Sequence, residues 1–173
     1  MVNCGLKVLY SAQNKCFSVM VSLIGTYQCK IDFKGRIKIP APLQKQLLNF
    51  LSKPFVVKRS VFNKCIEVYP LEEWNLIVNQ VNSLNRFVKK NNDFIRLFNA
   101  GVKLVDLDSN NRILISKDLL KFADIDKNIV ISSSVNMIEV WDRDKYENKL
   151  LTSTPDFSKL AEEVMGDINK NQN

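Results

Sequence analysis

Arg36 stands four residues after Asp32 and directly after Gly35 in DFKGRIKIP (32–40). Arg112 stands four residues after Asp108 in DSNNRILIS (108–116), 76 residues further on. A carboxylate and a guanidinium at this spacing can form a charge-assisted hydrogen bond. A guanidinium among lysines can instead hold phosphate or the edge of a base. A phosphate loop of the Walker type needs several glycines, then Lys and Ser/Thr at the mouth of a helix. The stretch 32–40 has one glycine and runs into alternating apolar residues, which excludes that reading. A tight hairpin turn fits better: Gly35 supplies positive φ. Asn111 takes the same place in the second motif, and asparagine is the next residue to tolerate it. Asp32 and Asp108 are suited to accept hydrogen bonds from the turn N–H groups.

The cations around the first motif set it apart. Lys30, Lys34, Arg36 and Lys38 fall within nine residues, and Lys45 follows. Alternate positions of a strand share a face, which places Lys30, Arg36 and Lys38 on one side near the turn. Such a face serves a polyanion, or it is a solvated edge guarded by lysines against strand pairing. The whole chain carries a net charge of +7 over 173 residues, unevenly spread. Residues 20–74 hold nine Lys/Arg against four Asp/Glu, and residues 75–100 hold four against one. Residues 101–146 hold seven against eight. The basic field lies on the first motif and the segment after it, and a field of that sign favours nucleic acid.

Other chemistry has little support. The chain has no histidine, which removes the commonest general base and any Ser-His or Cys-His pair. Cys4, Cys16, Cys29 and Cys65 form no CxxC pair and read as reduced thiols rather than zinc ligands. No enzyme activity, metal or cofactor is expected. No apolar run reaches the roughly 20 residues of a membrane span. CFSVMVSLIG (16–25) lacks a small-residue cleavage site, so no signal peptide is read there.

The elements that must position the motifs come in duplicate. Placing residue 32 on 108 aligns Gly25 with Gly101, and Ile37, Ile39 and Leu43 with Ile113, Ile115 and Leu119. CIEVYPLEEW (65–74) matches MIEVWDRDKY (137–146) at an offset of 72. RIKIP and RILIS alternate as half-buried strands do. A helix is expected over 41–51, with Pro42 in its first turn and Leu43, Leu47, Leu48 and Leu51 at helical spacing. FVVKR (55–59), NIVIS (128–132), CIEVY and MIEVW are β-rich. The fold class is therefore α+β: two repeats, 20–74 and 101–146, each reading strand, turn, strand, short helix, strand, strand. Each is too small to bury a full core alone, so they are expected to pack about a pseudo-twofold axis. Between them, 70–84 and 91–101 read as helices. An amphipathic helix is expected over 154–166, through Phe157, Leu160, Val164 and Met165. The segment 167–173 is expected to be flexible.

The doubled D-x-x-[GN]-R followed by an alternating strand resembles the AbrB-like swapped-hairpin domains. The whole layout resembles the MraZ family of bacterial regulators of the division and cell-wall gene cluster. The matching pieces are 23–47, 65–74, NRFVKKNNDFIRLFNAG (85–101), DSNNRILISKDL (108–119) and 138–146. The resemblance implies two AbrB-like halves forming one barrel, assembly into a homo-oligomeric ring, and binding to direct repeats of double-stranded promoter DNA. It implies a cytoplasmic, nucleoid-associated protein. It places DNA contact on Arg36, with Arg112 as its second-copy equivalent. Residues 1–19 precede the family's usual start and are expected to be a disordered extension. Asn111 for glycine and Ser116 for proline depart from the family's second motif.

On this reading Lys30, Lys34 and Lys38 contact phosphates together with Lys58 and Arg59, and Arg36 reaches a guanine edge. The alternative from another class is an antitoxin-type protein-binding module whose tail, 154–166, covers a partner.

Overall fold

The computed structural model describes residues 22–170, with the backbone alone for 153–156 and 167–170. The expectation for residues 1–19 lies outside the described residues.

The first repeat forms β1 (Thr26–Lys30), β2 (Arg36–Lys38), α1 (Ala41–Gln46), β3 (Phe55–Arg59) and β4 (Ile66–Pro70). Two connecting helices follow, α2 (Leu71–Asn82) and α3 (Lys89–Phe98). The second repeat forms β5 (Lys103–Val105), β6 (Arg112–Leu114), α4 (Lys117–Ala123), β7 (Asn128–Ser134) and β8 (Met137–Asp142). It ends in α5 (Arg143–Lys170). The α+β class and the strand-turn-strand-helix-strand-strand order of each repeat are those expected from the sequence.

Neither copy builds its own sheet. Six strands pair in the order β1-β7-β8-β4-β3-β5, every neighbour antiparallel, and β2 pairs with β6 in a separate ribbon. Exchanging the repeats reverses this order and leaves it unchanged. The outermost strand of each half lies on the third strand of the other. Ile37 pairs with its equivalent Ile113, and Glu67 with its equivalent Glu139. These two self-pairings mark the pseudo-twofold axis.

The sheet's inner face and the ribbon enclose one core. Phe55, Val57, Ile66, Val68, Ile129, Ile131, Ile138 and Val140 meet Ile37, Ile39, Ile113 and Ile115, with Leu43, Leu47 and Leu119 from the short helices. Burying each such side chain is worth about 1.5–3 kcal/mol. The outer face is covered too. Trp74, Ile77 and Val78 of α2 and Phe98 of α3 lie over Val56 and Tyr69, while Tyr146 of α5 lies with Trp141 and Val130. Covering on both faces explains the near-continuous apolar runs of β3 and β4.

Three boundaries differ from expectation. α1 stops at Gln46 and gives way to tight turns through Lys53, so Leu43 and Leu47 are buried while Leu48 is left exposed. Pro54 follows, and a proline there cannot continue the helix. α3 starts two residues earlier than 91, while Gly101, with φ +77°, follows its end as expected. α5 starts at Arg143 and continues through 154–166 as a single helix to Lys170, so the chain does not become irregular at 167.

Candidate nucleic-acid interface

Each motif closes as a hairpin turn by the same bonds. In the first, the Gly35 N–H donates to the Asp32 carbonyl (2.9 Å) and the Asp32 N–H to the Arg36 carbonyl (3.0 Å). Asp32 Oδ1 accepts from the N–H groups of Lys34 and Arg36, both at 2.9 Å, and Oδ2 accepts from Arg36 Nε at 2.7 Å. In the second, Asp108 Oδ1 accepts from the N–H groups of Asn110 (2.8 Å) and Arg112 (3.0 Å), and Oδ2 from Arg112 Nε at 2.7 Å. The positive φ falls where it was expected, +82° at Gly35 and +56° at Asn111. The Arg36 N–H, joined by its guanidinium and the Lys34 N–H, holds the Asp32 carboxyl below its usual range. At Asp108 partial desolvation pushes upward, but hydrogen bonds from the Arg112 side chain, Asn110 and the Arg112 N–H outweigh it and hold the carboxyl low.

The carboxylate thus occupies Nε of each arginine. The Nη groups of Arg36 and Arg112 have no hydrogen-bond partner among the described residues, and both side chains remain about a quarter exposed, at 27% and 28%. The ribbon register then decides what surrounds them. Arg36 pairs with Leu114 and Lys38 with Arg112, while Ile37 and Ile113 between them point into the core. Directly opposed residues share a face and stand roughly 4.5–5.5 Å apart at Cβ. Arg36, Lys38 and Arg112 therefore lie on one outward face of a two-stranded ribbon, contributed by both repeats. Lys38 and Arg112 are like charges directly opposed, an arrangement that costs stability without an anion between them.

Beside the ribbon, a groove of about 710 Å³ runs between β1 and the start of α1. Lys30 and Lys38 both line it, joined by the amides Gln28, Gln44, Asn110 and Asn111. The structure thus brings Lys30, Lys38 and the second turn to one opening. Lys34 is exposed at the tip of the first turn. Gln44 was missed from the sequence. It aligns with Leu120 of the second copy, and that mismatch between otherwise matching repeats is the available signal. Asn111 Nδ2 donates to Gln44 Oε1 (2.8 Å) across the repeats, and Gln44 Nε2 donates to the Ile39 carbonyl (2.6 Å). Around Gly35 the equivalent neighbour is Leu120, and an added Cβ would lie 2.8 Å from the Ile115 carbonyl oxygen.

Of the two further cations assigned to phosphate contact, Lys58 is buried and Arg59 is half-buried. Lys58 is 1% exposed on the outer face of β3, donating to Glu67 Oε2 (2.9 Å) and the Arg59 carbonyl (2.7 Å) beneath the Phe98 ring. Tyr69 donates to the same carboxylate oxygen at 3.0 Å. Arg59 packs on the Phe122 ring, and its Nε is buried. Lys58 was assigned to phosphate contact with its neighbour Arg59, but Phe98 of α3 covers it on the outer face of the sheet. The nearby Cys65 thiol is pushed up to about 12 by burial, so it is not a ready nucleophile.

The comparisons agree with this architecture. The profile of the MraZ protein family, described also as antitoxin-like, matches twice, over residues 22–97 and 98–167. The chain is 58% identical over 147 residues to a protein of Christiangramia forsetii, covering 85% of this chain and 95% of that protein. It is 54% identical to one of Flavobacterium psychrophilum (88% and 98% covered) and 31% identical to one of Clostridium tetani (82% and 95% covered). All three carry the name Transcriptional regulator MraZ. Two tandem matches that together span most of the chain, on a fold whose halves are related by the same repeat, show that the chain belongs to the MraZ family.

Proposed function

We propose that this protein binds specific double-stranded promoter DNA through the β2–β6 ribbon, as a ring-shaped homo-oligomer acting on direct repeats before the division and cell-wall gene cluster. The coarser part rests on the family: its members are regulators of transcription and not enzymes. The observation that carries the finer part is the shared outward face of Arg36, Lys38 and Arg112. A two-stranded ribbon fits a major groove about 12 Å wide. With Nε held by Asp32, the Arg36 Nη groups are pre-positioned to donate to guanine O6 and N7. Lys30, Lys34 and Lys38 supply phosphate contacts that set affinity and its salt dependence. Arg112, opposite Lys38, joins the same surface. One ribbon covers few base pairs, and a ring presenting several ribbons to spaced repeats raises affinity through effective concentration.

The test is a gel-shift titration of DNA from upstream of the chain's own gene at two salt concentrations. Binding should resist competitor DNA and weaken with salt by a log–log slope of about −0.9 for each phosphate neutralised. Arg36→Ala should remove the promoter shift and leave the oligomer mass unchanged. Promoter binding undiminished in that variant would overturn the assignment. The antitoxin-type reading draws on the exposed apolar side chains of α5. Deleting 150–173 would favour it only if a bound partner were lost with promoter binding intact.

A further inference from the structure

α5 is 28 residues long, about 42 Å at 1.5 Å per residue. Near its start Tyr146 meets Trp141 and Lys145 binds Asp124. From Glu147 to Met165 every described side chain but Ala161 is exposed. Phe157, Leu160 and Val164 recur at spacings of three and four, so they form one apolar face, and Phe157 is 64% exposed. Residues 156–167 carry Asp156, Glu162, Glu163 and Asp167 against Lys159 alone. The distal half of α5 is thus acidic and amphipathic, and Phe157, Leu160 and Val164 on its apolar face are exposed.

A complementary surface lies elsewhere on the same fold. An apolar groove of about 340 Å³ is lined by Val61, Phe94, Leu97, Phe98 and Phe122, with Leu97 75% exposed. The segment that supplies Phe94, Leu97 and Phe98 is basic: residues 86–98 carry Arg86, Lys89, Lys90 and Arg96 against Asp93 alone. Lys64 stands over the Phe122 ring at its edge. Arg59 lines the groove with a buried Nε that has no hydrogen-bond partner. This opening therefore offers apolar contact, positive charge and an unused donor.

We propose that the distal half of α5 of one copy docks in the α3 groove of a second copy, helix in groove, head to tail. The inference rests on the reading of the chain as a homo-oligomer and names its interface. Charge complementarity selects the occupant, since the acidic helix and basic groove belong to the same sequence. The two surfaces are different, so the contact is heterologous, and a heterologous contact repeats until it closes a ring. The groove lies at the end of β3 between α3 and α4, and no ribbon residue lines it, so docking there does not cover Arg36, Lys38 or Arg112.

The test uses two full-length variants, Leu97→Asp in the groove and Leu160→Asp with Val164→Asp on α5. All three positions are exposed, and circular dichroism checks that both variants keep the wild-type fold. Light scattering should show an oligomeric wild type and two monomeric variants. Mixed one to one, the variants retain one intact helix and one intact groove, and they should form two-chain particles and nothing larger. An oligomer persisting in either folded variant overturns the interface, as does a mixture that stays monomeric. Loss in the α5 variant alone would mean that α5 pairs with itself or with another surface. A monomeric wild type overturns the ring reading along with the interface, whereas the promoter shift of the Arg36→Ala variant bears only on DNA binding.

Discussion

The two D-x-x-[GN]-R turns share a backbone and differ in what they present. Their Asp–Arg clasps match bond for bond, with Nε to Oδ2 at 2.7 Å in both. Around that common frame, Lys30, Lys34 and Lys38 of the first copy align with Asp106, Asn110 and Leu114 of the second. The difference continues on the far side of the sheet. Glu67 is paired with Lys58 and bonded by Tyr69. Its equivalent Glu139 faces Ser132 across β7 and is bonded by Trp141 at 2.9 Å. Duplication kept the hydrogen bonds that build the fold, while the two copies diverged at the positions that carry charge. The Asp–Arg bond is common to both turns, whereas Lys30, Lys34 and Lys38 have no cationic equivalent at the aligned positions of the second copy; on the proposed function these lysines supply the phosphate contacts.

The largest effect that would break this comparison is on DNA affinity. Arg36→Ala should cost at least the roughly 1–3 kcal/mol of a bidentate guanine contact at every ribbon engaged. Arg112→Ala should cost less and act mainly on the salt dependence. Equal losses of sequence preference in competition gel shifts would erase the asymmetry between the copies.

Inside the fold the asymmetry should reappear in stability. Glu67→Gln leaves the Lys58 ammonium buried without its carboxylate and should destabilise by about 3–5 kcal/mol. Glu139→Gln should be nearly neutral, since no ammonium depends on it. Burial pushes the Glu139 carboxyl up, so its ionisation opposes folding as pH rises from its ordinary value through the raised one. Denaturant melts of the two variants side by side would check both statements.

A smaller effect separates the turn residues. Gly35→Ala places a Cβ against the Ile115 carbonyl at positive φ and should cost about 1–3 kcal/mol. Asn111→Gly keeps the turn and loses only the bond to Gln44, a net change of about 0.5–1.5 kcal/mol. A reversed order in thermal unfolding would show that Gln44, rather than backbone geometry, sets the second turn.

The gentlest probe is acid. Asp32 and Asp108 have lowered values, and the Lys103 ammonium holds Asp118 down to about 2. Groups lowered by folding stabilise it above their ordinary value of 3.8, and that contribution is lost as pH falls towards the folded values. Both turns should therefore loosen together below about pH 4. Amide exchange at Lys34 and Asn110, each bonded to a turn carboxylate, reports this residue by residue.

Much of this was legible from one copy compared with the other. The alternation of RIKIP and RILIS, the glycine–asparagine exchange and the I-E-V-aromatic strands located the turns and strands, because these depend on short-range sterics and period. Lys58 was misplaced for an equally physical reason. Its charge suggested solvent, but Glu67 pairs with it and Phe98 of α3 lies over it, and neither is near it in sequence. Gln44 escaped notice because its partner is 67 residues away, on the other repeat.

Residues 32–36 and 108–112 carry within themselves the chemistry of each turn: an aspartate to accept from the turn N–H groups, a residue tolerant of positive φ, and an arginine for a charge-assisted bond. That Arg112 shares a face with Lys38, that Glu67 meets Glu139 on the axis, and that the basic connector covers the outer side of the sheet follow only from the folded arrangement. Those facts follow from pairing between halves, where each outer strand lies on the other copy's third strand. Such pairing depends on the burial of the joint core, and no local spacing encodes it.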